Sequence, residues 1–266
     1  MTGKTIRLRR LSHEGLYVLI PLDHGVSVGP IQGLENVTQL MKDIDAGGAT
    51  GVILHKGLVK NYAAAAIDAG LLLHVSSSTD KASDPNDKRL VATAQDAVRM
   101  GCDGVSAHTN LGSKTEERQF EDFGRLTTEA GALGLPTLSM MYPRGPTIKD
   151  PYEERTVAHA ARLAEELGAD LVKTVYTGDP KTFRNVTSSV TIPVLVAGGA
   201  KAETDRDVLE LVHGAMRGGA AGVSIGRNVF QHRSPRRMTA AIARIVLEGA
   251  SAADALKTLK EVKARP

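Results

Sequence analysis

Lys173 interrupts an otherwise apolar run, DLVKTVY from Asp170, and shares its side of the two-residue alternation with Leu171 and Val175. A lysine in such a place resists carrying its charge, so its pKa should fall, and a neutral amine near pH 7 attacks a carbonyl carbon to form a Schiff base. The same position suits a structural lysine ion-paired inside the fold, with Asp23 as partner, and spacing alone weighs the two equally. Tyr142 closes the preceding apolar run, PTLSMMY from Pro136. If the two runs are neighbouring strands of a closed sheet, its phenol stands next to Lys173 and can pass a proton to or from an alkoxide while a carbon–carbon bond forms or breaks. Otherwise it is an ordinary rim tyrosine. Asp23, in PLDHG, can serve as a base or hold substrate hydroxyls, or simply form a turn. Two further segments, VAGGAK at 196–201 and IGRN at 225–228, present the unobstructed backbone amides of Gly198, Gly199 and Gly226 beside Lys201 and Arg227, a pattern suited to a phosphate. Four of the eight histidines, His24, His55, His74 and His108, end the first four apolar runs. They invite a metal reading, as in a zinc-dependent barrel hydrolase. However, no HxH pair or spaced carboxylate cluster accompanies them and Lys173 would then have no task, so no metal site is expected.

These residues need a scaffold that brings the ends of several runs together. The runs begin at Tyr17, Gly51, Leu71, Gly104, Pro136, Asp170, Ile192 and Ala221, each four to seven residues long and rich in Val, Ile and Leu, as in strands buried on both faces. Segments with helical spacing lie between them, among them 87–100, 115–133, 152–167 and 204–217. A weak repeat, RMGCDGVSA, ALGLPTLSM, ELGADLVKT and RGGAAGVSI, puts a glycine where a helix ends before the next strand. Eight strand–helix units without a linker imply an α/β fold, a (β/α)8 TIM barrel in a single domain, 1–266. An open doubly wound sheet fits less well, because DHGVSVGP lacks the glycine fingerprint of a dinucleotide fold. In such a barrel the chemistry sits at the C-terminal ends of the strands, where the polar residues gather.

Composition narrows the partners. Within 266 residues, 42% are apolar, yet no run of about 20 spans a bilayer, and the N-terminus lacks the apolar stretch of a signal peptide. The one cysteine, Cys102, cannot form an internal disulfide, so a cytoplasmic soluble protein is expected, with no membrane partner. The net charge of +3 comes from 33 basic and 30 acidic residues interspersed along the chain. The basic clusters at 7–10 and 233–237 carry no interleaved aromatics, so no nucleic-acid partner is expected and an anionic small molecule suits the balance better.

The strings PLDHGVSVGPI, LHKG, MMYPRGP, VAHAARLAEELGADLVKTVYTGD, VAGG and IGRNVFQH resemble the archaeal-type class I aldolases, Schiff-base (β/α)8 barrels, from about residue 7 to 261. The resemblance implies that Lys173 forms the Schiff base, Tyr142 donates a proton and Asp23 accepts one. It implies substrate contacts from His24, Gly25, Val26 and Ser27, from Pro143 and Arg144, and from Thr174 and Val175, with phosphate contacts at Gly198, Gly199, Gly226 and Arg227. Ala200 departs from the pattern, since relatives often have proline after the glycine pair. DHGVSVGPI, LHKG and VYTGDPKTFRNV are similar to the branch that joins an enamine from a phosphorylated ketose-type donor, 6-deoxy-5-ketofructose 1-phosphate, to an aldehyde acceptor, L-aspartate 4-semialdehyde. Addition of dihydroxyacetone phosphate to the same aldehyde and cleavage of fructose 1,6-bisphosphate are the alternatives within the family. No cofactor is implied, and a homo-oligomer, such as a decamer, is.

Overall fold

In the computed structural model, which describes residues 2–260, eight parallel strands close into a barrel. They are β1 (Tyr17–Pro21), β2 (Gly51–Leu54), β3 (Gly70–His74), β6 (Gly104–Leu111), β7 (Thr137–Pro143), β8 (Leu171–Thr174), β9 (Val194–Ala197) and β10 (Gly222–Ser224). The remaining two, β4 (Ser76–Ser77) and β5 (Arg89–Leu90), pair antiparallel as a small ribbon after β3. All eight expected runs are barrel strands, and the fold is the single-domain (β/α)8 barrel. Met1 and residues 261–266, which the expected 1–266 domain includes, lie outside the described residues.

Alternation divides the strands into two faces. Outward positions such as Val52, Val105 and Val172 join the large core beneath the helices. Inward positions, among them Leu19, Ile53, Leu72, Met140, Leu171 and Leu195, fill the lumen. The helices lay one apolar stripe on the barrel: α7 (Glu154–Glu166) buries Val157, Ala160, Ala161 and Ala164, and α9 (Asp205–Arg217) buries Val208, Leu209, Val212 and Ala215. Thr204 opens α9 with a reciprocal capping box to Asp207. The repeated glycines turn the chain back toward the sheet in the left-handed region, as at Gly168 (φ 92°).

The segment expected as a helix from 87 to 100 is corrected by the structure. Only α5 (Ala94–Arg99) is helical, because Thr93 and Asp96 form a capping box there, while Arg89–Leu90 pairs with Ser76–Ser77. The first strand also stops at Pro21, and Asp23 instead precedes a short helix, α2 (His24–Val28).

An N-terminal helix, α1 (Thr2–Arg10), closes the far end of the barrel. Leu11, fully buried, enters the lumen opposite strand-start glycines: a Cβ at Gly70 would lie 2.9 Å from Leu11 Cδ2, and one at Gly51 3.2 Å from it. Ion pairs Lys4–Asp170 (3.0 Å) and Arg10–Asp103 (2.6 Å) hold α1 in place. Among the described residues no helix is long and apolar enough to cross a membrane.

Candidate active site

At the open end, inward positions change from apolar to polar. Lys173 is 7% exposed in β8, where its register partners are Met140 on β7 and Leu195 on β9. Its amine makes no hydrogen bond or ion pair among the described residues. The structural alternative, a lysine ion-paired to Asp23, is therefore not what is built. Asp23 lies beyond ion-pair distance, though close enough for the two charges to influence each other. Tyr142 is buried two residues above Met140 on the same face of β7, one step further toward the mouth than Lys173. Its ring is clamped from two sides. His108 meets it edge-on at 4.9 Å between centroids, and the Arg144 guanidinium stacks over it at 4.5 Å.

Asp23 faces this pair through a histidine cluster. Its carboxylate lies 3.6 Å from His74 Nε2 and 3.3 Å from His24 Nδ1. Burial opposes ionisation, yet the flanking His74 and His24 imidazoles and the Lys173 ammonium hold the Asp23 carboxyl well below the usual carboxylate range. His74 is buried, stacks edge-on with His55 at 5.0 Å, and its Nδ1 lies 2.9 Å from Ser106 Oγ. Burial pushes the His74 pKa down to about 4 despite the Asp23 charge, and burial likewise lowers His55 and His108. The buried His74 imidazole beside the carboxylate is thus neutral at pH 7. Among the described residues no group of three His, Cys, Asp or Glu side chains converges as metal ligands.

The two glycine segments meet at the β9–β10 side of the mouth, where the second abuts His24. A Cβ at Gly198 would lie 2.6 Å from Ile225 Cγ2, and one at Gly226 would lie 2.6 Å from His24 Cε1. Only glycine permits this approach at either place. Arg227 Nη2 donates to Gly199 O (2.8 Å), and Lys201 Nζ donates to Gln231 O (3.1 Å). Asn228, which the sequence did not single out, fastens the first segment: its Nδ2 donates to Gly198 O (2.9 Å) and Ala200 O (3.1 Å), and its Oδ1 accepts from Ala202 N (2.8 Å).

The other expected contacts divide by position. His24, Gly25, Val26 and Ser27 form α2 at the rim, with Ser27 O accepting from Asp80 N (2.8 Å). Val175 packs where the lumen and the outer core meet. The Thr174 side chain lies on the face opposite Lys173, fully buried with Oγ1 unpartnered, and Pro143 likewise alternates away from Tyr142, so neither side chain enters the lumen. Lys88, the residue before β5, was unforeseen; it lines a cleft with His108 and donates to Ser78 Oγ.

A buried lysine with no ion-pair partner at the C-terminal end of a barrel strand, with a phenol on the next strand and a carboxylate across from it, is an arrangement for imine chemistry. The sequence profile of the DeoC/LacD family aldolases matches residues 17–232. The chain belongs to the DeoC/LacD aldolase family. It is 42% identical over 254 residues to a 2-amino-3,7-dideoxy-D-threo-hept-6-ulosonate synthase of Halobacterium salinarum, covering 96% of this chain and 95% of the relative. It is 40% identical over 240 residues to a 2-amino-4,5-dihydroxy-6-oxo-7-(phosphonooxy)heptanoate synthase of Streptomyces griseus, covering 89% and 87%. Among solved structures it resembles an archaeal fructose-1,6-bisphosphate aldolase whose catalytic lysine is covalently bound to the carbinolamine intermediate of the substrate. That match has a TM-score of 0.85 and 30% identity and covers 92% of this chain and 99% of the other. As a member of this family, the enzyme is a class I aldolase of the Schiff-base type.

Proposed function

We propose that this aldolase transfers a three-carbon unit from 6-deoxy-5-ketofructose 1-phosphate to L-aspartate 4-semialdehyde, giving 2-amino-3,7-dideoxy-D-threo-hept-6-ulosonate, with Lys173 as the nucleophile. The observation that carries the proposal is the Lys173 amine, buried in the lumen with no partner of its own, beside Tyr142 and facing Asp23. The amine adds to the donor ketone remote from the phosphate, and water leaves to give a protonated imine. The bond between the two hydroxyl-bearing carbons then breaks, its electrons passing into the imine to form an enamine. The phosphorylated three-carbon aldehyde departs. The enamine carbon attacks the aldehyde of the acceptor, and hydrolysis frees the lysine. Asp23, ionised at neutral pH, takes up the proton released as the bond breaks, and the Tyr142 phenol protonates the alkoxide that forms. The protonated imine is the electron sink, so the steps require no cofactor. The resemblance to the family supports a cytoplasmic homo-oligomer as the working form.

Addition of dihydroxyacetone phosphate to the same aldehyde is a second reading, favoured by one feature. The two products differ at carbon 7, a methyl group in the first and a phosphorylated carbon in the second. The segments carrying Gly198, Gly199, Gly226 and Arg227 offer that carbon an anion site. Product mass after pairing L-aspartate 4-semialdehyde with each donor separates the two.

Incubation with dihydroxyacetone phosphate and borohydride should leave a mass adduct on the peptide holding Lys173, and Lys173→Ala should lose both adduct and turnover. Full activity of Lys173→Ala, or no adduct with any ketone phosphate, overturns the proposal.

A further inference from the structure

Two cations at the mouth have no anionic partner. Arg144 and Lys88 make no ion pair among the described residues, although the chain is otherwise well supplied with them. Both are held in place by the same strand end. Arg144 N donates to Leu111 O at the end of β6 (2.8 Å), and the next residue, Gly145, approaches Gly112 so closely that a Cβ would fall 1.6 Å from its carbonyl oxygen. Lys88 is fixed through its neighbours. Asn86 O accepts from Asn110 Nδ2 and Gln119 Nε2, both at 2.9 Å, and Asp87 binds Arg118 and Thr115. The Lys88 ammonium itself donates only to the neutral Ser78 Oγ (2.5 Å). Burial and the neighbouring guanidinium lower its pKa, while Asp23 and Asp84 oppose this from beyond ion-pair distance. Both cations in turn help keep His108 neutral.

Such a mount holds two like charges within each other's electrostatic influence, a repulsion that an anion between them would relieve. The guanidinium sits over the Tyr142 ring, 4.5 Å from its centroid, and a guanidinium suits bidentate contact with a carboxylate or phosphate. The pair stands on the β6–β7 side of the barrel, across the mouth from the β9–β10 glycine segments, with Lys173 on β8 between them. A substrate joined to Lys173 thus has cations or free amides on either side of it.

We infer that Lys88, together with Arg144, forms the subsite for the anionic tail of the aldehyde partner, and so selects small aldehydes bearing a carboxylate or phosphate over uncharged ones. The inference rests on the proposed aldol chemistry and deepens it. In that chemistry the departing fragment carries a phosphate and the incoming acceptor a carboxylate, and the two occupy the same place in turn. One anion pole serves both.

The test compares acceptors. Donor turnover is measured with L-aspartate 4-semialdehyde and with propionaldehyde, in the unsubstituted protein, Lys88→Met and Lys88→Arg. The expected result is a rise of about ten- to a hundredfold in the KM for L-aspartate 4-semialdehyde in Lys88→Met, with kcat changed less, little change for propionaldehyde, and recovery in Lys88→Arg. An equal change for both aldehydes, or none for the charged one, overturns the subsite. Borohydride trapping of the donor on Lys173 needs no acceptor. An adduct in Lys88→Met shows a folded variant whose Lys173 still condenses with a ketone, and no adduct in the unsubstituted protein overturns the aldol reading itself.

Discussion

Tyr142 stands one step above Lys173 on the neighbouring strand, yet their removal should fail at different steps. Lys173→Ala removes the bond to substrate. Tyr142→Phe keeps the ring that Arg144 and His108 clamp and removes only the phenolic proton. The variant should therefore still give a borohydride adduct on Lys173 while kcat falls by about 10²–10⁴, the range of a lost general acid–base. Steady-state rates and adduct mass on the same preparation check this, and an unchanged kcat contradicts the role. Lys173, Tyr142 and Asp23 were legible in the sequence because each breaks or ends an apolar run, and a strand's two-residue period shows which side a residue takes. Lys88 was hidden in a segment whose spacing looked helical. The two-residue ribbon that carries it is too short to leave a period, and its mount depends on Asn110, Gln119 and Arg118, distant in sequence.

The loop after β9 depends on Asn228, a residue of the short helix Arg227–Phe230 that follows β10. Its amide satisfies two carbonyls and one N–H of the 198–202 segment while only 5% exposed. Asn228→Ala leaves these groups unpaired and should cost about 1–3 kcal/mol in urea unfolding. A larger relative rise in the KM for dihydroxyacetone phosphate than for L-aspartate 4-semialdehyde should accompany it, and equal KM values in both proteins contradict the role. At this scale the sequence carried the strands well, because continuous Val, Ile and Leu runs bounded by left-handed glycines mark buried parallel strands unambiguously. It carried the loops poorly. IGRN showed a glycine and a cation, but the carbonyls that Asn228 would meet depend on how two loops cross. The end of the first strand was likewise placed beyond Pro21, where a polar residue ending a strand and one preceding a short helix look alike.

For the whole molecule, neutral buried histidines set a pH limit. His74 has a folded pKa of about 4 against an ordinary 6.5, so between those values the unfolded chain binds a proton that the folded one refuses. Stability is full above pH 6.5 and drains as pH falls toward 4, by about 3 kcal/mol from His74 alone. His108 and His55 act in the same direction. Asp23, with its folded pKa below 3.8, adds a further loss only at lower pH. Urea titrations at pH 7.5, 5.5 and 4.5 should show this decline, and a flat profile contradicts it. The Leu11 plug also has a consequence for traffic. With its base stoppered, the barrel is a blind well with one doorway, so the fragment cut from the donor has to back out past Lys88 and Arg144 before the second aldehyde can take its place. Turnover then alternates between two half-reactions, and a high concentration of either aldehyde queues against the other at the same threshold.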